Sequence, residues 1–126
     1  MACGSPAPDL DRLNRAFDES VRLFAEYRLP NSMARPAGFD LESHLREVEA
    51  KRENVSSVFH SPSGVQFIQA RIQAEPDELV VLAGLEILYE SKSRSAVPTF
   101  ERFSRASSPV VAEWASRYLE ESTTWP

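Results

Sequence analysis

The side chains that could do chemistry in this sequence are few and far apart. His44 and His60 stand sixteen residues from one another. Zinc needs three or four ligands, and neither histidine has a cysteine pair or a second ligand at helical spacing, so no metal site is expected. Gly4, Gly38, Gly64 and Gly84 are too dispersed to build a loop that cradles a phosphate. The one cysteine, Cys3, cannot close an internal disulfide. It reads as an incidental residue of a frayed terminus and fits a reducing compartment. No glycine-flanked serine nucleophile is present, and nothing in the spacing of the carboxylates pairs two of them for acid–base work. The expectation is a protein that is not an enzyme and carries no cofactor.

What remains is recognition of a partner. In the helix expected between Pro76 and Glu90, Glu78, Glu86 and Glu90 fall outside the apolar positions, and in the last helix Glu113, Arg117, Glu120 and Glu121 do likewise. The net charge is −5, from 14 basic and 19 acidic residues. Such a balance opposes binding to nucleic acid over a broad face, because that affinity comes from neutralised phosphates, and it suits a basic protein partner. Lys92, Arg94, Arg102 and Arg105 form a small basic group around the fifth helix. They carry the alternative, a nucleic-acid-associated protein.

The elements that must position these residues are helices. Leu10, Leu13, Phe17, Val21, Phe24 and Tyr27 recur at three and four residues, which predicts a first helix from Asp9, its N-cap, to Arg28. Two prolines, an asparagine and a glycine then break the chain between Leu29 and Gly38. That stretch reads as a connector in which Met33 and Arg35 have the most to offer a partner. Asp40 caps a second helix reaching Asn54 and extending toward Phe59, with Phe39 placed to pack back on its first turns and Lys51 to Asn54 as a polar interruption. His44, on its charged face, is expected in solvent.

Ser61-Pro62, Glu75-Pro76 and Ser108-Pro109 each read as an N-cap followed by proline at the first helical position. They start a third helix with Val65, Phe67, Ile68 and Ile72 inward, a fourth that is apolar around its circumference, and a sixth that buries Val110, Val111, Trp114, Ala115, Tyr118 and Leu119. A fifth helix, from Ser95 to Arg105, buries Ala96, Val97, Phe100 and Phe103. Gly84, inside the fourth, signals a close helix crossing. Trp125, in an aperiodic tail, is expected to pack locally or dangle. No apolar run approaches the roughly 18 residues of a membrane span, and no secretory signal is visible, so the cytoplasm is the default location. The expected architecture is all-α, one domain of about six helices: a leader over 1–8, N-terminal helices over 9–60, hairpins over 61–121 and a tail over 122–126.

Ala96 to Leu119 resembles a HEAT-like repeat: a first helix opening near alanine, valine and proline, a small-polar turn, and a second helix with valine, alanine and leucine inward. Ser63 to Tyr89 looks like a less faithful copy, and together they cover about half the chain. The aspartate usual in the turn and the arginine early in the second helix are absent, with Ser107-Ser108 and Ala112-Glu113 in their places. Candidate starts lie 33 residues apart and candidate ends 31. The resemblance implies that the second helices line one face, which would gather the glutamates into an acidic stripe. It also implies a masking or scaffolding role, most concretely that of a bacterial immunity or antitoxin-type protein covering a basic toxin domain. A regulatory or structural subunit of a larger assembly is the further reading.

Overall fold

The computed structural model describes residues 10–28 and 40–125. Cys3, Asp9, the connector with Met33 and Arg35, and Phe39 lie outside the described residues. Within them the fold is all-α, with six helices: α1 (Leu10–Arg28), α2 (Leu41–Ser56), α3 (Pro62–Gln73), α4 (Glu78–Ser91), α5 (Val97–Phe103) and α6 (Pro109–Ser122). Two compact units divide the chain, one ending at Ser56 and the other beginning at Ser57.

The first unit is the α1–α2 hairpin. Its inward stripe on α1 takes in Phe17, Ser20, Leu23 and Phe24, while Leu10, at the helix start, is 57% exposed. Asp40 caps α2, accepting the Ser43 N–H at 3.1 Å. The helices run antiparallel, with Glu26 beside His44 near one end and the Ser20 and Ser56 hydroxyls 3.1 Å apart, buried, toward the other. His44 is therefore not a solvated side chain. It is half-buried, 2.8 Å from Glu26 Oε1, because the antiparallel packing lays the start of α2 against the end of α1. The polar interruption also has an inward member. Arg52 follows Val48 by one turn on the same face, is only 1% exposed, and donates to Glu49 at 2.6 Å.

The second unit begins with a 3-10 turn, Ser57–His60, whose Phe59 is fully buried and stacks on Phe67 with ring centroids 5.6 Å apart. Ser61 caps α3 by accepting the Gly64 N–H at 3.1 Å, with Pro62 in the first turn. The start of α4 differs from expectation. Asp77, not Glu75, is its N-cap, and its carboxylate takes the Leu79 N–H at 2.9 Å. Glu75 instead accepts from Arg71 at 2.6 Å and from the Asp77 N–H at 3.1 Å. A glutamate side chain is one methylene longer than the short caps that reach the first free N–H groups, and proline pushes the residue before it out of helical geometry. At its other end α4 closes on Lys92, which adopts the left-handed conformation at φ 55°.

A 3-10 turn, Arg94–Ala96, leads into α5, which stops at Phe103, earlier than its periodicity suggests. The Ser104 hydroxyl donates to the Glu101 carbonyl at 2.6 Å and the Arg105 and Ala106 N–H groups close tight turns, so side chain and backbone together draw the chain out of the helix. Ser108 then caps α6, with Pro109 in its first turn.

Two antiparallel hairpins result, α3–α4 and α5–α6, and they repeat by stacking. Gln69 donates to Thr99 Oγ1 at 2.9 Å, Arg102 donates to the Gln73 carbonyl at 3.4 Å, and Ser108 donates to Glu78. These pairs are separated by 30, 29 and 30 residues, so α3 runs parallel to α5 and α4 to α6. The spacing is slightly shorter than the 31 to 33 read from the sequence.

The core of this unit holds Val65, Ile68, Ile72, Val81, Leu85, Leu88, Phe100, Val111 and Ala115, each no more than 4% exposed. Phe67, Val97 and Phe103 are only half-buried. Gly84 marks a close crossing, as its position inside α4 suggested: a Cβ there would lie 2.5 Å from Ile72 Cγ2. The tail packs locally. Trp125 is 6% exposed, its ring centroid 6.0 Å from those of both Tyr89 and Phe100, and its carbonyl accepts from Arg94 at 3.0 Å.

Candidate functional site

The glutamates expected to line one stripe have different fates. Glu86 is 5% exposed, inside a run from Ala83 to Leu88 that is buried throughout. It cannot belong to an open acidic face: from Ala83 to Leu88 the helix is enclosed around its circumference, so a polar position in that run is not an outward one. Glu90 is half-buried. Glu78 is exposed at the start of α4, where it accepts the Ser108 hydroxyl proton and ties the two hairpins together.

Glu113, Arg117 and Glu120 do come together. All three are exposed, and their spacing of four and three places them along one side of α6. Arg117 donates to Glu113 at 2.7 Å, and its guanidinium carbon lies 5.1 Å from the centroid of the Trp114 ring. The inward side of α6 is Val111, Ala115, Tyr118 and Ser122. At 3.6 residues per turn, Trp114 lies on the flank of that buried stripe, Val110 and Arg117 further round, and Glu113 and Glu120 at the outer pole. Accordingly Val110 is 47% exposed and Trp114 is half-buried, although apolarity alone placed both inward. The site thus gains two residues that their hydrophobicity had concealed. The signal that could have found them is the helical wheel, since six inward residues are too many for one stripe of fourteen.

Near the end of α6, Glu121 accepts the Tyr89 hydroxyl proton. That hydrogen bond, with burial adding to it, holds the Tyr89 phenol above its ordinary range.

The basic group is occupied in part by the fold. Lys92 Nζ sits 3.9 Å from the Tyr89 ring centroid and 5.3 Å from that of Trp125. Arg94 holds the Trp125 carbonyl and Arg102 the Gln73 carbonyl, while Arg105 is exposed. His44 is engaged with Glu26, and His60 is exposed beside the helix boundary. Among the described residues, no helix is long and apolar enough to cross a membrane.

The arrangement offers an aromatic ring and a guanidinium with a carboxylate border, which is suited to contact with another macromolecule. Comparison with protein-family models, with curated proteins and with solved structures finds no match.

Proposed function

We propose that the chain is a non-catalytic protein-binding module whose second unit is a short HEAT-like scaffold presenting α6 to a partner. The stacking of α4 on α6 and of α3 on α5 supports the likeness. The spacing of about 30 residues is shorter than the roughly 40–47 of HEAT repeats, so the likeness lies in the mode of stacking.

The observation that carries the reading is the outer side of α6. Binding energy at protein interfaces concentrates in tryptophan, tyrosine and arginine anchors ringed by polar residues. Trp114 and Arg117, beside exposed Val110 and bordered by Glu113 and Glu120, have that composition. The carboxylates and the net charge of −5 favour a basic partner surface. The most concrete form is an immunity or antitoxin-type protein that masks a basic toxin domain. The basic group is a poorer foundation for a nucleic-acid role, because Lys92 and Arg94 are turned to intramolecular contacts and only Arg102 and Arg105 are left to face a phosphate backbone.

Affinity capture from the native host tests the reading. Wild-type protein is expected to retain a basic protein partner, and Trp114→Ala to weaken that complex by 2 kcal/mol or more, about thirtyfold in affinity. The double reversal Glu113→Lys with Glu120→Lys should release it as well. A partner retained equally by all three proteins would overturn the assignment of α6.

A further inference from the structure

We propose that the groove between α3 and α5 is a second binding site, for an extended peptide segment that carries an acidic side chain. The site is separate from the outer side of α6 and does not depend on it.

The groove has a volume of about 290 Å³ and runs along Gln66, Gln69, Ala70 and Gln73 on one wall and Thr99, Arg102 and Phe103 on the other. The three glutamines recur at three and four residues, so their amides form a row along one side of α3. At 1.5 Å per residue that row is roughly 10 Å long, the length of about three residues of extended chain. A primary amide offers both a donor and an acceptor, as a peptide bond does, and can pair with a backbone N–H and C=O together.

The row is also ordered at its centre. Gln69 Nε2 donates to the Ser95 carbonyl at 2.8 Å and to Thr99 Oγ1 at 2.9 Å, which fixes the amide plane and leaves its Oε1 as an acceptor. Gln66 and Gln73, both exposed, keep their side-chain amides for a ligand.

Charge specifies the occupant. In a chain with more acids than bases, α3 contains no carboxylate at all, and none lines the groove. Arg71 and Arg117 each donate to a glutamate, whereas among the described residues the Arg102 guanidinium meets only a backbone carbonyl, at 3.4 Å, with the Phe103 ring centroid 6.0 Å away. A guanidinium without a carboxylate, at the end of an amide row, is complementary to a peptide with a glutamate or aspartate. Ala70 and Phe103 give the groove apolar surface for the intervening residues.

The test is a titration of isotope-labelled full-length protein with an acetylated, amidated hexapeptide that has two central glutamates among alanines. The comparator has central lysines. The side-chain NH₂ resonances of Gln66 and Gln73 and the Nε–H of Arg102 are expected to move saturably with the glutamate peptide. Arg102→Ala should raise the dissociation constant about tenfold or more, the loss expected for a charge-assisted hydrogen bond. Gln66→Ala should raise it too, and Arg105→Ala should leave it unchanged. Gln66 is exposed, so its truncation keeps the test valid should Arg102→Ala disturb the fold. Resonances that stay fixed, equal weakening by the Arg102 and Arg105 variants, or an equal response to the lysine peptide would each overturn the proposal.

Discussion

Replacing Gly84 with alanine sets two effects against each other. Alanine in a helix interior is better than glycine by up to about 1 kcal/mol, so propensity alone says the protein becomes more stable. Packing says the opposite. The new methyl would lie 2.5 Å from Ile72 Cγ2 and 3.4 Å from both Ile68 Cγ2 and Ile72 Cδ1. Carbon atoms pack at about 3.5–4.0 Å, so the closest contact is short by about 1 Å. Ile72 is fully buried and, being β-branched, cannot swing Cγ2 aside without leaving its rotamer, so the hairpin must open or strain. Overpacking of this size costs about 1–3 kcal/mol, which leaves a net loss of roughly 1–2 kcal/mol after the propensity gain.

The assay is urea unfolding followed by tryptophan fluorescence. Trp114 and Trp125 are the chain's two tryptophans, and both lie in the unit that begins at Ser57, so the signal reports on that unit. A double-mutant cycle identifies the cause. Ile72→Ala removes the obstructing methyl, and in that background Gly84→Ala should cost nothing or should stabilise by up to about 1 kcal/mol. A gain in stability from Gly84→Ala alone, or the same cost in both backgrounds, would refute the reasoning.

Leu85→Ala and Leu88→Ala, at fully buried positions, should each cost about 2–5 kcal/mol, and Leu82→Ala, at a half-buried one, clearly less; equal losses in urea unfolding would contradict the burial pattern. Trp125→Ala should cost about 3 kcal/mol by calorimetry and free Lys92 and Arg94 from the tail; an unchanged melting temperature would mean that the tail contributes nothing to stability. Hydrogen bonds from Arg71 and from the Asp77 N–H hold Glu75 below the ordinary carboxylate range, and one from Arg22 does the same for Glu19. Their folded values lie below the unfolded ones, so their stabilisation is present above about pH 4.5 and is lost as pH falls further, and Glu75→Gln should flatten the acid limb of the unfolding midpoint. Tyr89 has the opposite sign. Its raised value gives stabilisation that is present below about pH 10 and is lost as pH climbs through the folded value, so Tyr89→Phe should flatten the alkaline limb, and an unaltered limb would rule out the Glu121 hydrogen bond as its source.

The helices themselves were legible, because Asp40, Ser61 and Ser108 announce their starts with short polar caps and the apolar spacing follows three and four residues. What the sequence concealed are relations between elements. His44 looked solvated because its partner Glu26 lies eighteen residues away on another helix. Arg52 and Glu86 looked outward because charge was read as exposure, while tertiary packing covers both. Val110 and Trp114 looked inward for the mirror-image reason. Of the expected acidic stripe only Glu113, Arg117 and Glu120 stand together in the open, since whether glutamates on α4 and α6 share a face depends on how completely α4 is wrapped. The glutamine row was in plain view at helical spacing, but the groove beside it exists only once α5 is laid along α3 at a separation of about 30 residues.

The Ser108 hydroxyl has a dual bond with a bearing on how the second unit comes to order. Its oxygen accepts the Val111 N–H, which winds the first turn of α6, while its proton goes to Glu78, in the first turn of α4. The first turn is the costly part of any helix, because several dihedral angles are fixed for a single hydrogen bond. By joining that turn to the first turn of α4, the serine ties the starts of the two parallel helices to one another. Within each hairpin the contacts are local. Between hairpins this pair joins the Gln69–Thr99 and Arg102–Gln73 hydrogen bonds, the nearest-neighbour kind of contact on which cooperativity in stacked repeats depends.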